Sequence, residues 1–452
     1  MISTANFIKT ILGYEQVIVK DVTIELDRQG AMALFVYLKM EKSIESCCPF
    51  CHRKCPGYDC CTERKIWRDN DLNGFKVYIV SDTRRIKCPE HGVITEDVPW
   101  AYHNSGFTKS FDKMSCLLGM CMNKSFAAGF QRVSWATIGM SISRVRTELE
   151  PNPKARYKNL ENIGIDETSY SKGHQYLTTV VNLDTCEVVW AGVGHDYETL
   201  SRFFKELTPE QLAGIKRVAG DGARWIDKCV DEFIPHAKRC IDFFHVVQWA
   251  MEALDKVRAQ SWHRAANELK ALIKEMEDVK EEGSSDKKLK KKLQKAKDSS
   301  KQIKNSKYAL GKNPENLSRY QEEKLEYISN TDKVLFRAYS LKELLRLALK
   351  VPDPEEAEAI LRKFFWRATH SRIDEFKELG HKIKRHWDHI MNTLKHGLSN
   401  APVEAMNNKI KFIFRKAYGF RNLNNMIDMV MLGCSNLKLH LSNRPFEDFY
   451  LA

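Results

Sequence analysis

The sequence has few of the residues that mark non-globular chains. Only 22 glycines and 13 prolines occur among 452 residues, which excludes collagen-like and low-complexity architectures. No apolar run reaches the roughly 18 residues that a membrane span requires. The N-terminal segment lacks an apolar stretch followed by a small-residue cleavage site, so we do not expect secretion. With 43% hydrophobic and 29% charged residues, the composition is typical of a globular protein with several domains.

Acidic residues are fewer than basic ones. The sequence contains 59 aspartates and glutamates and 72 lysines and arginines, which gives a formal net charge of +13. A surplus of this size favours a polyanionic partner, either nucleic acid or an anionic membrane surface. The alternative is a basic solvated surface without such a partner.

The thirteen cysteines are unevenly distributed, and seven of them lie in the first hundred residues. An odd number in a chain without a signal peptide argues against a disulfide framework. Cys48-Pro-Phe-Cys51 and Cys88-Pro-Glu-His91 are two ligand pairs separated by 36 residues, which predicts one structural, tetrahedral Zn²⁺ site. The alternatives are free, reduced cysteines or a different ligand set that includes Cys47, Cys55, Cys60 or Cys61.

Residues 111–149 show helical periodicity and contain a candidate helix-turn-helix. Ser134 is a suitable N-cap for the helix WATIGMSISRVRTEL, and Gly129 in FAAGF is expected in the turn before it. Three arginines would then be available to phosphates or base edges, namely Arg132, Arg144 and Arg146. An ordinary helical hairpin is the alternative.

Carboxylates occur where a sheet could bring them together. From residue 162 onward, three short β-rich runs precede alternating helices and strands, which predicts a mixed α/β sheet. Asp166 and Asp221 each follow an apolar strand, and Glu404 lies in the first turn of a helix that begins after the break at Pro402. Converging carboxylates suit two-metal phosphoryl chemistry, because Mg²⁺ and Mn²⁺ prefer oxygen ligands. Taken singly, each aspartate could instead cap a turn.

The helix that carries Glu404 has a further polar face. At about 100° per residue, four side chains fall on one side, namely Glu404, Asn408, Lys411 and Arg415. Such a face suits a metal site that continues into a track for DNA phosphates. The alternative is an ordinary solvated helix face.

The stretch 248–395 has an almost wholly helical composition. Within it, residues 281–297 contain a glycine and two serines near their start and are dense in lysine, which predicts an exposed, mobile connection between helices. The run KRCIDFFHVV just before this stretch is predicted as a strand over 238–247. Trp249 and Trp262 are expected to fill the helical core, and the alternative is stacking on a flipped base.

Several motifs resemble, in the same order, those of the ISL3 family of bacterial insertion-sequence transposases, which belong to the DDE class. They are CPFC…RRIKCPEH, SWATI, GIDETSY, VAGDGARW, IDFFHVV and NAPVEAMNNKIKFIFRKAYGF, and they span nearly the whole chain. The resemblance implies a ribonuclease-H-like catalytic domain with Asp166, Asp221 and Glu404 as the triad and a helical insertion before the glutamate. It also implies that Asp242 and His245 form the C/D-x-x-H pair beside the active site. One departure is His91, where a second cysteine is commoner.

The resemblance and the motifs together predict a multidomain α/β protein. The expected segments are an N-terminal segment (1–45), a β-rich zinc-binding module (46–105), a helix-turn-helix module (106–152), a ribonuclease-H-like core (160–247), an all-α insertion (248–395) and a C-terminal part of the core (396–452). The expected function is that of a DNA transposase that cleaves element ends and joins their 3′ hydroxyls to target DNA.

The expected cofactors are Mg²⁺ or Mn²⁺ in the active site and a structural Zn²⁺. The expected partners are double-stranded DNA, as terminal inverted repeats and as target, and further copies of the chain, at least as a dimer on DNA. We expect the protein in the bacterial cytoplasm, associated with the nucleoid. Two other functions are compatible with parts of the sequence. A non-catalytic zinc and helix-turn-helix regulator would not need the three acids, and a ribonuclease-H-like nuclease would not need the long insertion.

Overall fold

The computed structural model of the chain describes residues 4–61, 63–281, 287–398, 401–441 and 449–450. Over these residues it contains several sheets and many helices, which confirms the predicted mixed α/β class. In this part of the chain, no helix is long and apolar enough to span a membrane. All thirteen cysteines lie within it and each is a free thiol.

The first hundred residues form strands where apolar and polar side chains alternate. The elements are α1 (Thr4–Leu12), β1 (Val17–Leu26), β2 (Met32–Met40), β3 (Gly57–Cys60), β4 (Lys65–Leu72), β5 (Phe75–Ser81), β6 (Arg84–Cys88) and β7 (Gly92–Thr95). One sheet has the strand order β1-β2-β5-β4 and the other β3-β6-β7. Trp67 and Trp100 meet edge to face in the core of the first sheet, with ring centroids 5.4 Å apart. Two large aromatic rings therefore fill part of this core.

Helices follow where polar N-caps precede amphipathic runs. They are α2 (Lys109–Cys121), α3 (Lys124–Gln131) and α4 (Trp135–Leu149). The Ser134 hydroxyl accepts a hydrogen bond from the Thr137 N–H, so the predicted N-cap is confirmed. The expectation for Gly129 is wrong, because this glycine lies inside α3. The turn is made instead by Arg132, which has left-handed backbone (φ 55°) and whose N–H bonds to carbonyls of the last turn of α3.

A five-stranded sheet comes next. Its strands are β8 (Asn162–Ser171), β9 (Gln175–Asn182), β10 (Glu187–Val193), β11 (Arg217–Gly220) and β12 (Lys238–Ile241), in the order β10-β9-β8-β11-β12. β9 and β10 pair antiparallel, whereas β11 pairs in parallel with both β8 and β12. The helices of this region are α5 (Tyr197–Glu206), α6 (Pro209–Gly214) and α7 (Arg224–Phe233). The predicted strands and their alternation with helices are thus confirmed.

The helical stretch begins earlier than predicted. The helices are α8 (Phe243–Glu281), α9 (Lys287–Lys304), α10 (Lys307–Gly311), α11 (Arg319–Thr331), α12 (Lys333–Lys350), α13 (Pro354–Thr369), α14 (Asp374–Arg385) and α15 (Trp387–His396). The strand predicted over 238–247 therefore ends at Ile241, because the Asp242 side chain accepts a hydrogen bond from the Phe244 N–H and starts a helix.

The lysine-rich run is also helical rather than a mobile connection. Residues 282–286 lie outside the described residues, but the lysines after them belong to α9, whose apolar side Leu289, Ala296 and Ile303 is buried. The apolar residues of this run are spaced so that they lie on one side of a helix. This spacing, rather than the high lysine content, therefore determines the structure of the run. Trp249 and Trp262 pack against the core of this stretch, as expected.

The last described elements are two helices and two short strands that pair antiparallel. They are α16 (Ala401–Ala417), α17 (Leu423–Cys434), β13 (Lys438–Leu439) and β14 (Phe449–Tyr450). Buried residues of α16 and α17 share one hydrophobic core with α2–α4, β9 and β10. The Asp428 carboxylate of α17 accepts a hydrogen bond from Arg146 of α4 at 2.6 Å, and Asn425 donates to the Gly139 carbonyl at 3.0 Å.

The chain divides into two compact units. The first comprises Met1–Lys158, Glu167–His195 and Pro402–Ala452, and the second comprises Asn159–Asp166 and Asp196–Ala401. These units do not follow the predicted domain boundaries, because the C-terminal helices share a core with the helix-turn-helix segment. The division by function remains a prediction.

A buried carboxylate in the first unit generates a stability prediction. Asp112 of α2 is fully buried and accepts two hydrogen bonds from Arg144 at 2.6 and 2.7 Å and one from Ser141 at 2.6 Å. Asp112→Ala should lower the free energy of unfolding by about 3 kcal/mol, because it leaves a largely buried guanidinium unpaired. Urea unfolding measures this change.

The matched control is Thr147→Ala, at an exposed position of α4, which should change the unfolding free energy by less than about 0.5 kcal/mol. Equal stability of the two variants would show that the Asp112–Arg144 pair does not hold α2 to α4.

Candidate active site and nucleic-acid interface

Three acidic residues lie on or directly after three adjacent parallel strands, namely Asp166 within β8, Asp221 directly after β11 and Asp242 directly after β12. The hydrogen-bond ladder places Ile165 opposite Gly220 and Gly220 opposite Ile241. The three aspartates, each one residue after these paired positions, therefore lie at the same level of the sheet, on strands spaced about 4.8 Å apart. Carboxylates in this arrangement can share divalent cations.

Glycines permit a close approach of the backbone at this edge. A Cβ atom on Gly220 would lie 2.9 Å from the carbonyl oxygen of Ile165, and one on Gly222 would lie 2.6 Å from the Trp249 ring. The Asp221 carboxylate accepts a hydrogen bond from the Ala223 N–H at 2.9 Å. The Asp221 side chain therefore caps its turn, which is the alternative role that the sequence allowed for each aspartate. It also lies at the same level of the sheet as Asp166.

Asp242 and His245 lie at the junction of β12 and α8. The Asp242 N–H donates to the Gly220 carbonyl at 3.1 Å, which extends the ladder by one residue, and the Asp242 side chain caps α8. His245 lies in the first turn of that helix, half-buried, and its N–H donates to the Asp242 carbonyl at 3.1 Å. Of the pair implied by the family resemblance, Asp242 thus lies level with Asp221, and His245 follows on α8.

Glu404 belongs to the first unit. It lies in the first turn of α16 and is exposed, as are the other members of the predicted polar face, Asn408, Lys411 and Arg415. Next to this face, about 60° around the helix from Glu404, buried Asn407 accepts a hydrogen bond from Thr168 at 3.0 Å. The helix therefore presents the predicted face to solvent, and the role of Glu404 as a metal ligand remains a prediction.

The four predicted zinc ligands converge in the first unit. Ligand atoms of Cys48, Cys51, Cys88 and His91 all lie within 4.8 Å of one another. Cys88 ends β6 and His91 lies in the turn to β7, so a hairpin supplies one pair and the loop after Cys47 supplies the other. Three thiols and one imidazole around one point are a donor set that fits Zn²⁺.

The distances in this cluster agree with a single tetrahedral ion. Cys51 Sγ and Cys88 Sγ are 3.7 Å apart, and His91 Nδ1 lies 3.6 Å from Cys48 Sγ and 3.5 Å from Cys88 Sγ. Zn–S bonds of about 2.3 Å imply ligand separations of about 3.7 Å. Burial opposes ionisation of the Cys88 thiol, but hydrogen bonding with His91 lowers its pKa to about 6. Of the alternative ligands, Cys55 is buried beside this cluster, whereas Cys60 is exposed.

The three arginines predicted to bind DNA are engaged in ion pairs within the first unit. Arg132 pairs with Asp71, Arg144 with buried Asp112, and Arg146 with Asp428. Arg144 and Arg146 are only about one-fifth exposed, with side-chain exposures of 22% and 21%. Contact of these arginines with DNA remains a prediction, and each would have to share its guanidinium with a carboxylate.

Other residues of α4 face solvent. Its first turns expose Trp135, Ala136 and Met140, which line a cleft of about 780 Å³ together with Lys124 and the segment 417–422. The Arg421 guanidinium lies 5.5 Å from the centre of the Trp135 ring. This basic and aromatic surface was missed from the sequence. Only Met140, which lies opposite the apolar Ile138 and Ile142 in a helical pattern, could have been expected to point outward.

The chain is similar to known proteins over most of its length. A family model described as "Transposase" matches residues 163–430, from β8 to α17. The transposase for insertion sequence element IS1557, from two strains of Mycobacterium tuberculosis, is 37% identical over 426 residues, which is 94% of each chain. The transposase for insertion sequence element IS1001, from Bordetella parapertussis, is 26% identical over 403 residues, covering 88% of this chain and 91% of its own length.

The cysteine cluster generates a metal-content prediction. Cys51→Ser should retain one equivalent of Zn²⁺ fewer per chain than the unaltered protein, because it removes one of the four converging ligands. Elemental analysis after Zn²⁺ loading and desalting measures the difference. Cys60→Ser, at an exposed cysteine outside the cluster, should lose no zinc. If both variants kept the full complement, the ligand assignment would be wrong.

Proposed function

Because the chain belongs to the ISL3 family of insertion-sequence transposases, which cut and join DNA, we propose that it binds the terminal inverted repeats of an insertion sequence, cleaves the element ends and joins their 3′ hydroxyls to target DNA. The observation that carries the catalytic part of this proposal is the common level of Asp166, Asp221 and Asp242 on three parallel strands.

The strand order supports a ribonuclease-H-like catalytic domain. β8 is central, with β9 and β10 on one side and the parallel β11 and β12 on the other. We infer that this sheet, with α8–α15 inserted after β12 and α16 following the insertion, forms the catalytic part. Residues 46–105 and 106–152 then form the zinc-binding and helix-turn-helix modules that recognise the element ends.

The acids fit divalent cations. Hard cations such as Mg²⁺ and Mn²⁺ take carboxylate oxygens, and the strand ends bring such groups together where Gly220 lets the strands approach closely. Asp166, Asp221 and Glu404 would hold the ions, which lower the pKa of an attacking hydroxyl and stabilise the leaving oxygen when bound. Asp242 and His245, one helical turn apart, would position the substrate beside them.

The remaining parts of the chain would bind and arrange DNA. The exposed Asn408, Lys411 and Arg415 would follow the phosphate backbone, in keeping with the net charge of +13. Two ends must be cut together, so we propose at least a dimer on DNA, acting in the bacterial cytoplasm. A regulator without catalysis would not need aligned aspartates, and a simple nuclease would not need the long run of helices α8–α15 between β12 and α16.

The triad generates the sharpest catalytic prediction. Asp166→Asn, Asp221→Asn and Glu404→Gln keep the shape of each side chain but remove the charge that holds a cation. Each should bind element ends normally and lose strand cleavage by roughly 10³-fold or more, as expected when several kcal/mol of transition-state stabilisation are lost. Cleavage of labelled end DNA in Mg²⁺ measures the rate. Mn²⁺ should partly restore it, and Ca²⁺ should support binding only.

The matched controls are Asp278→Asn on α8 and Glu378→Gln on α14, both at exposed positions, which should cleave at the unaltered rate. If Glu404→Gln also cleaved normally while both aspartate variants were inactive, the third ligand would have to be another residue, with Asp242 as the first candidate.

The polar face of α16 generates a prediction about DNA affinity. The double variant Lys411→Ala, Arg415→Ala should weaken binding to all DNA sequences alike and reduce the slope of log K against log salt by about 2, because two phosphate contacts are lost. Fluorescence anisotropy at several salt concentrations measures the slope. Lys409→Ala, on another side of the same helix, should leave it nearly unchanged. If the double variant and Lys409→Ala changed the slope equally, this face of α16 would not be the surface that follows the DNA phosphate backbone.

A further inference from the structure

Two histidines and an aspartate meet in the second unit, outside the predicted active site and outside the cysteine cluster. His386 directly precedes α15, His389 lies one turn later on the same helix, and Asp227 lies on α7. One ligand atom of each residue lies within 4.8 Å of the others. The two Nδ1 atoms are 3.2 Å apart, and His389 Nδ1 is 4.0 Å from Asp227 Oδ1.

These distances agree with ligands of one ion. Zn–N and Zn–O bonds of about 2.1 Å in a tetrahedral site imply ligand separations of about 3.3 Å. The two recorded distances lie at and somewhat above this value, so a small rotation of the half-buried Asp227 or His389 side chains is enough. The His-x-x-His spacing at a helix start brings both imidazoles to one side of the helix.

The protonation of the two histidines favours metal binding. Burial lowers the pKa of His386 to about 4 and also lowers the pKa of His389. Both rings are therefore neutral at pH 7, and each has a nitrogen lone pair for a metal. Two Nδ1 atoms that face each other without an ion would need opposite tautomers to form a hydrogen bond.

Groups around the cluster can hold the ligands in place. Buried Arg239 donates from Nε to Asp227 Oδ1 at 3.0 Å, and this oxygen keeps a second lone pair for an ion. The Trp249 ring centre is 5.4 Å from that of His386. Metal-binding carboxylates commonly accept such a hydrogen bond from an outer group. Asp227 also lines an open surface cleft, which gives an ion access from solvent. The other residues that line it are the acidic Asp231 and Glu232 and the basic Arg224, Lys228 and Arg385.

We propose that Asp227, His386 and His389 bind one Zn²⁺ or a similar transition-metal ion, which fastens α15 to α7. Nearby, Thr393 and Asn392 of α15 bond to backbone atoms of β12, so the ion would add a third attachment of the helical insertion to the sheet region. Arg239 also donates to the backbone carbonyl of Asp221, which connects this cluster to the turn that carries a predicted catalytic residue. This inference does not depend on the proposed reaction.

The test measures metal content and the spectrum of bound Co²⁺ in the full chain. After loading and desalting, His389→Gln should retain one equivalent fewer than the unaltered protein. It should lose weak d–d absorption and keep the intense thiolate-to-Co²⁺ charge-transfer band of the cysteine cluster, whereas Cys51→Ser should lose that band. Asp227→Asn is a second variant with preserved shape, used if His389→Gln does not fold by circular dichroism.

Two controls separate this site from others. His396→Gln, at an exposed histidine of the same helix, should bind metal like the unaltered protein, and so should Asp221→Asn at the predicted catalytic site once exchangeable ions are removed by desalting. Unchanged metal content and Co²⁺ spectra in both folded His389→Gln and Asp227→Asn would overturn the proposal.

Discussion

The parallel hydrogen-bond ladder of β8, β11 and β12 is the constraint on which the candidate active site depends. Because these strands are parallel, residues that directly follow paired positions lie at the same level of the sheet. A slip of one residue on β11 would send Asp221 to the other face and separate it from Asp166. Gly220 makes this register possible, since a side chain there would collide with the Ile165 carbonyl.

The same sheet ends at β12, whose outer edge would otherwise present unpaired backbone groups. Helix α15 covers it: the Thr393 hydroxyl accepts from the Ile241 N–H at 2.9 Å and donates to the Ile241 carbonyl at 2.8 Å. The helical stretch α8–α15 therefore does more than separate two parts of the chain. It builds its own hydrophobic core and returns to satisfy the strand from which it departs.

The ion pairs of the first unit show that a positive net charge does not identify which basic residues are available to DNA. Arg132, Arg144 and Arg146 all neutralise carboxylates of the protein, and the pairs with Asp112 and Asp428 hold helices together. The surplus positive charge is carried elsewhere, as on the exposed lysines of α9 and α16. A basic residue on a helix that is predicted to bind DNA can therefore stabilise the fold instead.

The sequence by itself determined what depends on local pattern. Alternation and turn residues predicted β8–β12, Ser134 marked a helix start, and spacing selected Cys48, Cys51, Cys88 and His91, because such signals act within a few residues. Tertiary structure decided what depends on distant partners. It placed Asp242 level with Asp221, paired the arginines with Asp112 and Asp428, joined α16 and α17 to the core of α2–α4, and brought Asp227 to His386 and His389 across about 160 residues of sequence. Packing and pairing between distant segments have no local signature, so these contacts emerge only when the chain is folded.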